Sequence, residues 1–335
     1  MMINKKISYC LKYTAPSPRK ILNLVLVKFS KVFKLKRVLG YPLTVMVEPT
    51  NICNLKCPLC PTGQGLLRRP KGFLSLEDFK KIVDQFGDYS LHLRLWNWGE
   101  PLLNEELIEM IKYARRYRWY INTSTNSFFL TKDFAKEIVS SGLDSLIISL
   151  DGASEETYSK YRQHGNFKNV VDAISALVEE KKKQNSKTPK IHLQFIVMKH
   201  NEHEIPKIKE LAKQLQVDFL ALKKVGIMDP SMKDKIKEYL PSDRYAKYTK
   251  EAKIKTNRNM CGMIYEETTI NWDGSVVPCC YDMHNTFNFG NVLKDPFPKI
   301  WNNEKYVSFR KVILKNKSAI PMCVNCAGTT EGVLI

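Results

Sequence analysis

The sequence predicts an α/β fold: an open, partial barrel of six parallel strands with helices between them, followed by a small unit built on a β-hairpin and a helix. Three observations carry that prediction. From residue 43 to 222, short β-rich apolar runs alternate with longer amphipathic runs of helical period, the pattern of βαβ units in a parallel sheet. The polar clusters of that stretch fall just after the strand runs, where parallel α/β folds gather their chemistry. After residue 222 the alternation stops, the chain is Lys-rich to residue 259, and a Cys-bearing unit begins at Cys261.

The strands expected are 43–47, 91–98, 120–124, 145–150, 192–198 and 219–222. Helical patterns fall between them at 76–86, 105–117, 131–141, 167–183 and 204–215. The organisation is a basic amphipathic segment at 1–42, the barrel at 43–222, a connecting region at 223–260 that is partly helical at 245–255, and a C-terminal unit at 261–335. In that last unit Trp272-Asp273-Gly274-Ser275 joins two short β runs through an Asp-Gly turn.

A chain of 335 residues has room for one large domain and an appendage. No run approaches the roughly 18 apolar residues of a membrane span, and no N-terminal stretch reads as a signal peptide. The nine Cys are clustered in a long chain, which fits metal binding in a reducing compartment better than a disulfide scaffold. The expected location is therefore cytoplasmic, with Cys10 incidental. The net charge is +19, and residues 1–47 hold ten Lys or Arg and no Asp or Glu. Within 19–39 those charges alternate with Leu22, Val25, Leu26, Phe29, Val32, Phe33 and Leu35 at near-helical spacing. Such a helix has two readings: peripheral contact with an anionic membrane at its inner face, or packing across the bottom of the main domain with a solvated basic face. Nucleic acid is disfavoured, because no recognised module accompanies the charge.

The chemistry centres on Cys53, Cys57 and Cys60, a C-x3-C-x2-C run just after the first strand. Core packing explains a lone Cys, since a free thiol behaves as a small hydrophobe. It does not explain three in eight residues among Asn54, Lys56 and two prolines. A structural zinc site takes four closed ligands, and a cubane held only by protein takes four Cys. Three thiolates on a 4Fe-4S cluster would leave one iron open to a reactant. Gly99-Glu100-Pro101, Ser124-Thr125-Asn126 and Ser149-Leu150-Asp151-Gly152 end the next three strands, on the same rim.

Together these features resemble the radical S-adenosylmethionine (SAM) superfamily over roughly residues 43–222, and the resemblance implies a partial (β/α)6, TIM-like barrel. It implies that Cys53, Cys57 and Cys60 ligate three irons of a 4Fe-4S cluster whose fourth iron binds SAM. Reductive cleavage of SAM would then give a 5'-deoxyadenosyl radical that abstracts a substrate hydrogen. Gly99, Glu100 and Pro101 resemble the family's GGEP strand end, with Trp98 in place of its first Gly. Asn126, Ser149, Asp151 and Arg162 resemble the residues that approach SAM; a guanidinium suits its carboxylate through bidentate hydrogen bonds. Cys261, Gly274 and Cys279 give C-x12-G-x4-C, and Cys323 and Cys326 add C-x2-C. This resembles the SPASM/twitch extension, with Cys261, Cys279, Cys323 and Cys326 closing one auxiliary 4Fe-4S cluster. Cys280 is the alternative to Cys279, and a zinc ribbon is the competing reading of the tail.

Function follows as expectation. The resemblance implies an enzyme of oxidoreductase type with two 4Fe-4S clusters and SAM, supplied by a donor such as flavodoxin or ferredoxin. The favoured substrate is a small molecule, a sugar or a lipid headgroup; a ribosomal-peptide maturase is the second reading. The non-enzyme reading is a zinc-bound interaction protein using its basic N-terminus. Trp96 and Trp98 read first as packing, and His92, His192, His200 and His203 show no ligand spacing.

Overall fold

The computed structural model describes residues 17–255, 261–324, 326 and 332–334; Cys10 lies outside the described residues. Six strands run in parallel as expected: β1 (Thr44–Val47), β2 (His92–Arg94), β3 (Tyr120–Thr125), β4 (Ser145–Ser149), β5 (Lys190–Val197) and β6 (Phe219–Lys224). They neighbour one another in sequence order, and each crossover between them carries a helix or a helical turn. The sheet does not close. Beyond β1 it continues into the C-terminal unit through β7 (Glu267–Ile270), parallel to β1, and then the antiparallel β8 (Ser275–Val277) and β9 (Gly290–Asn291). At the other edge β10 (Gly332–Leu334) pairs antiparallel with β6. The appendage is therefore hydrogen-bonded into the barrel sheet.

The helices are α1 (Pro18–Val32), α2 (Leu76–Asp84), α3 (Leu107–Ala114), α4 (Lys132–Ser140), α5 (Glu155–Tyr161), α6 (Phe167–Lys183) and α7 (Ile205–Gln214). The tail adds α8 (Met263–Glu266), α9 (Phe297–Trp301), α10 (Glu304–Asn316) and α11 (Pro321–Val324). Several begin at a side-chain cap: Ser75, Thr131, Asn166 and Asn303 each accept from the backbone N–H three residues on. Val45, Leu93, Ile121, Ile148, Leu193 and Phe195 on the strands bury fully against Phe79, Ile82, Ile111, Ile138, Ile174 and Ile208 on the helices. Period-3.6 and period-2 patterns thus meet in one core.

Four expectations need correction. β2 ends at Arg94 rather than residue 98, because Trp96, Asn97 and Trp98 leave the ladder to line a cavity. β6 runs two residues past 222, to Lys224. Residues 245–255 form no helix; they turn, with an isolated antiparallel bridge between Tyr248 and Ile254. The connecting region also packs on the cysteine loop: Val225, Ile227, Met232, Ile236, Tyr248 and Ala252 join Leu55, Cys57 and Leu59 in a second apolar cluster.

The fourth correction concerns α1. It lies under the N-terminal ends of the strands, as the second reading supposed. Lys20 donates to the Tyr117 carbonyl, and Asn23 Nδ2 donates to the Tyr41 and Tyr89 carbonyls, both at 3.0 Å. Its buried positions are Lys20, Asn23, Val27 and Ser30, while its outward face is apolar rather than a solvated basic one. Among the described residues no helix is long and apolar enough to cross a membrane.

Candidate functional site

At the C-terminal ends of the parallel strands lies a cavity of about 410 Å³. Cys53, Cys57 and Cys60 form part of its wall, with Glu100, Asn126, Ser149 and Arg162. The loop that carries the three thiols is held from all sides. Leu55 and Leu59 sink into the second apolar cluster, Leu55 N–H donates to Cys53 Sγ at 3.5 Å, and Cys60 N–H donates to the Cys57 carbonyl at 3.1 Å. Gln64 Nε2 donates to the Lys56 and Cys57 carbonyls, both at 3.1 Å, which fixes the turn between the thiols.

Gly99 is required by shape. Its φ is +143°, and a Cβ there would stand 2.4 Å from the Thr50 carbonyl oxygen. That close approach lets Glu100 N–H donate to the Ile52 carbonyl at 2.8 Å, tying the end of β2 to the cysteine loop. Glu100 is buried, and its carboxylate accepts from Thr125 Oγ1 and Asn126 N–H at 2.7 Å and from Leu102 N–H at 3.1 Å. Burial pushes its pKa up to about 7. The carboxylate therefore sets the end of β3, and Asn126 Nδ2 in turn donates to Asn54 Oδ1 at 2.9 Å and reaches Cys53 Sγ at 3.8 Å.

Asp151 and Arg162 are partners of each other. Arg162 Nε donates to Asp151 Oδ2 at 2.6 Å, Asp151 Oδ1 accepts from Ile196 N–H at 2.6 Å, and Arg162 Nη1 reaches Cys57 Sγ at 3.8 Å. Gly99, Glu100, Asn126, Ser149 and Arg162 thus face the cavity, whereas Pro101 and Asp151 stand behind it. Sequence reasoning missed further lining residues: Arg94, Asn97, Lys223, Lys224 and Cys280. The strand-end rule would have found Lys223 and Lys224 had β6 been extended to its true end. Trp96 and Trp98 also line the cavity, so packing is not their whole role.

A second thiol group sits in the tail. Burial and then the neighbouring Cys280 thiol push the Cys279 pKa up, with Cys261 and Cys323 adding to the effect, and burial with Cys261 and Cys326 brings Cys323 to about 12. Cys261, Cys279, Cys280, Cys323 and Cys326 thus act on one another as one group of thiols. Cys280 turns to the cavity, where burial and then Glu267 push its thiol up to about 12. Of the adjacent pair, which lies past the end of β8 and outside any strand, Cys280 lines the cavity and Cys279 does not. Trp98 Nε1 donates to the Cys280 carbonyl at 2.8 Å, so the loop after β2 touches the tail directly.

Glu48, at the end of β1, joins the two units. It is fully buried, accepts from Arg69 Nη1 at 2.6 Å, and also accepts from Trp98 N–H at 3.2 Å and Trp272 N–H at 3.3 Å. Arg69 Nε donates onward to the Met283 carbonyl at 2.9 Å.

These residues fit an iron-sulfur cluster and a polar ligand. Burial pushes Cys53 to about 12 and Cys57 to about 11, so thiolates there need a strong positive partner, which iron supplies. Among the described residues no three His, Cys, Asp or Glu side chains converge on a single metal ion. A cubane spreads its ligands over different irons and does not need that convergence. Trp96 Nε1, Asn97 Oδ1 and Thr62 Oγ1 are buried on the cavity lining without a partner among the described residues, which offers a ligand both donors and acceptors.

An open parallel barrel with three thiols at its rim, and a cysteine-bearing extension beside them, defines an iron-sulfur enzyme whose cluster faces a ligand pocket. Comparison with known proteins is consistent throughout. The model of the radical SAM superfamily matches residues 47–212, and that of an iron-sulfur cluster-binding domain, SPASM, matches residues 261–327. The chain belongs to the radical SAM superfamily and carries a C-terminal SPASM domain. Together the two domains imply a SAM-binding 4Fe-4S cluster and an auxiliary cluster.

Similar proteins include a tungsten-containing aldehyde ferredoxin oxidoreductase cofactor-modifying protein of Pyrococcus furiosus. It is 24% identical over 311 residues, covering 84% of this chain and 86% of that one. An AdoMet-dependent heme synthase of Methanosarcina barkeri is 25% identical over 332 residues, covering 85% and 91%. Among solved structures, BtrN in complex with AdoMet and 2-DOIA aligns with a TM-score of 0.55 at 18% identity, covering 87% of this chain and 97% of that one. SuiB of Streptococcus suis bound to the precursor peptide SuiA gives 0.63 at 14% identity, covering 89% and 73%. At such identities the structures establish the fold alone.

Proposed function

We propose that this protein is a radical SAM enzyme of oxidoreductase type acting on a small molecule or sugar, with one auxiliary 4Fe-4S cluster as electron acceptor. The observation that carries this reading is the single cavity lined both by Cys53, Cys57 and Cys60 and by Cys326 of the tail group. An electron leaving a substrate in that cavity has the tail thiols as part of its wall. When bound, the first cluster and SAM supply a reductive cleavage that delivers a hydrogen-abstracting deoxyadenosyl radical, and the auxiliary cluster supplies a one-electron sink.

The chain's own residues bind, orient and exclude water. Cys53, Cys57 and Cys60 would hold the first cluster, and Cys261, Cys279, Cys323 and Cys326 would hold the second. Gly99 admits the close approach that places Glu100, and Glu100 places Asn126 by accepting its backbone N–H. Asn126 and Ser149 offer polar groups to SAM, and Arg162, held by Asp151, keeps its Nη1 toward Cys57. Trp96 and Trp98 give the cavity apolar wall. Arg94, Lys223 and Lys224 line the cavity and give it basic side chains suited to an acidic or hydroxylated substrate.

Peptide maturation is the second reading. The resemblance in shape to SuiB bound to SuiA, and the 24% identity to the mycofactocin maturase MftC of Mycobacterium tuberculosis, support it. Anaerobic protein reduced with dithionite in the presence of SAM tests the enzyme reading. Deoxyadenosine is expected from wild type and from Cys323→Ala/Cys326→Ala, and none from Cys53→Ala. Product formation by the triad variant would sink the assignment.

A further inference from the structure

The face that α1 turns outward is built the wrong way round for a solvent-facing helix. A surface helix normally buries its apolar stripe and exposes its polar one. Here Lys20, Asn23 and Ser30 are buried against the barrel with Val27 as the one fully buried apolar side chain, while Ile21, Leu22, Val25, Phe29 and Val32 point out, each between 47 and 64% exposed. Phe33 and Leu39 extend the patch at 60 and 55% exposure, and the Phe29 and Phe33 rings touch with centroids 4.3 Å apart. A contiguous apolar surface of this kind marks an interaction site.

Charge selects the occupant. Residues 1–47 hold ten Lys or Arg and no acidic residue. Acidic groups from elsewhere reach the helix at two points: Glu266 takes Lys28 and Lys31, and Asp88 takes Arg19. Lys34 and Lys36, exposed at the end of the apolar patch, have no ion pair among the described residues. Arg37 beside them is exposed and donates to the Asn302 carbonyl, with no ion pair among the described residues. A second copy meeting this face through a two-fold axis would bring like charge onto like.

We propose that α1 and residues 33–39 dock the protein on an anionic lipid surface, with the apolar side chains in the headgroup boundary and Lys34, Lys36 and Arg37 on the lipid phosphates. The helix lies beneath the N-terminal ends of the strands and the cavity at their C-terminal ends. A docked molecule therefore opens its cavity away from the lipid, and its substrate arrives from the aqueous side.

Co-sedimentation of the full chain with phosphatidylcholine vesicles, with and without phosphatidylglycerol, tests this directly. It reads lipid binding and not turnover, so its outcome is independent of the proposed reaction. Binding is expected only with phosphatidylglycerol and is expected to weaken as salt rises. Leu22→Glu/Phe29→Glu/Val32→Glu should abolish it, and Lys34→Glu/Lys36→Glu should weaken it about tenfold or more. Far-UV circular dichroism and iron content of both variants should match wild type, since these side chains are exposed. The proposal fails if neither vesicle binds, if the variants bind as wild type does, or if the apolar face instead drives a concentration-dependent dimer that the same glutamates dissolve.

Discussion

Cys279 and Cys280 are adjacent in sequence and face different surroundings. Cys279 has Cys280, Cys261 and Cys323 about it, and Cys280 lines the cavity beside Glu267, Arg94 and Cys326. Cys279→Ala should therefore lose about four of the irons, whereas Cys280→Ala should keep them; iron and sulfide analysis distinguishes the two. Spacing made every one of the proposed ligands legible, because a ligand set is a local pattern. The pairing of Asp151 with Arg162 was not legible as such, because each residue alone resembled a SAM contact and only the fold brings them to 2.6 Å. His192 shows a different kind of hidden constraint. Its ring packs on Phe219 with centroids 4.6 Å apart, and burial lowers its pKa to about 4. The unfolded chain binds the proton more readily between that value and the usual 6.5, so this group's stability contribution is full above pH 6.5 and falls as pH drops toward 4. His192→Phe should remove a pH dependence on the order of 2 kcal/mol between pH 6.5 and 5, read from urea midpoints.

Elements were legible where periodicity was long and illegible where tertiary contact decides. The strands from β1 to β6 and the long α6 follow directly from pattern. Residues 245–255 carry helix-forming residues, but Tyr248 is held by burial and by its hydroxyl accepting from Ile227 N–H at 3.0 Å, so packing onto the cysteine loop overrides propensity. The truncated β2 has a similar cause. Its last residues are drawn off to the cavity, and Gly99 supplies the backbone geometry that permits the departure. Gly99→Ala places a methyl against the Thr50 carbonyl and strains a positive φ. A loss of about 1–3 kcal/mol in stability is expected, together with reduced SAM-dependent deoxyadenosine formation as the cysteine loop shifts. Unchanged turnover in Gly99→Ala would remove this strand end from the site.

At the scale of the molecule, the barrel and the SPASM domain share one sheet, and Glu48 with Arg69 locks the junction. Arg69→Met leaves Glu48 buried without its counter-ion, at a cost of about 3–5 kcal/mol in chemical denaturation. The sequence pattern disclosed two units and two cysteine groups. It did not disclose that the sheet runs through both or that α1 is inverted, since each depends on partners distant in the chain. The central claim is that both thiol groups hold clusters around one cavity. Iron content of the anaerobically purified full chain tests it most directly, measured alongside deoxyadenosine release after reduction. About eight irons per chain in wild type, and about four in both Cys53→Ala/Cys57→Ala/Cys60→Ala and Cys323→Ala/Cys326→Ala, with product lost only in the first, is the result predicted. A colourless protein holding zinc and no iron, inert toward SAM, would contradict it.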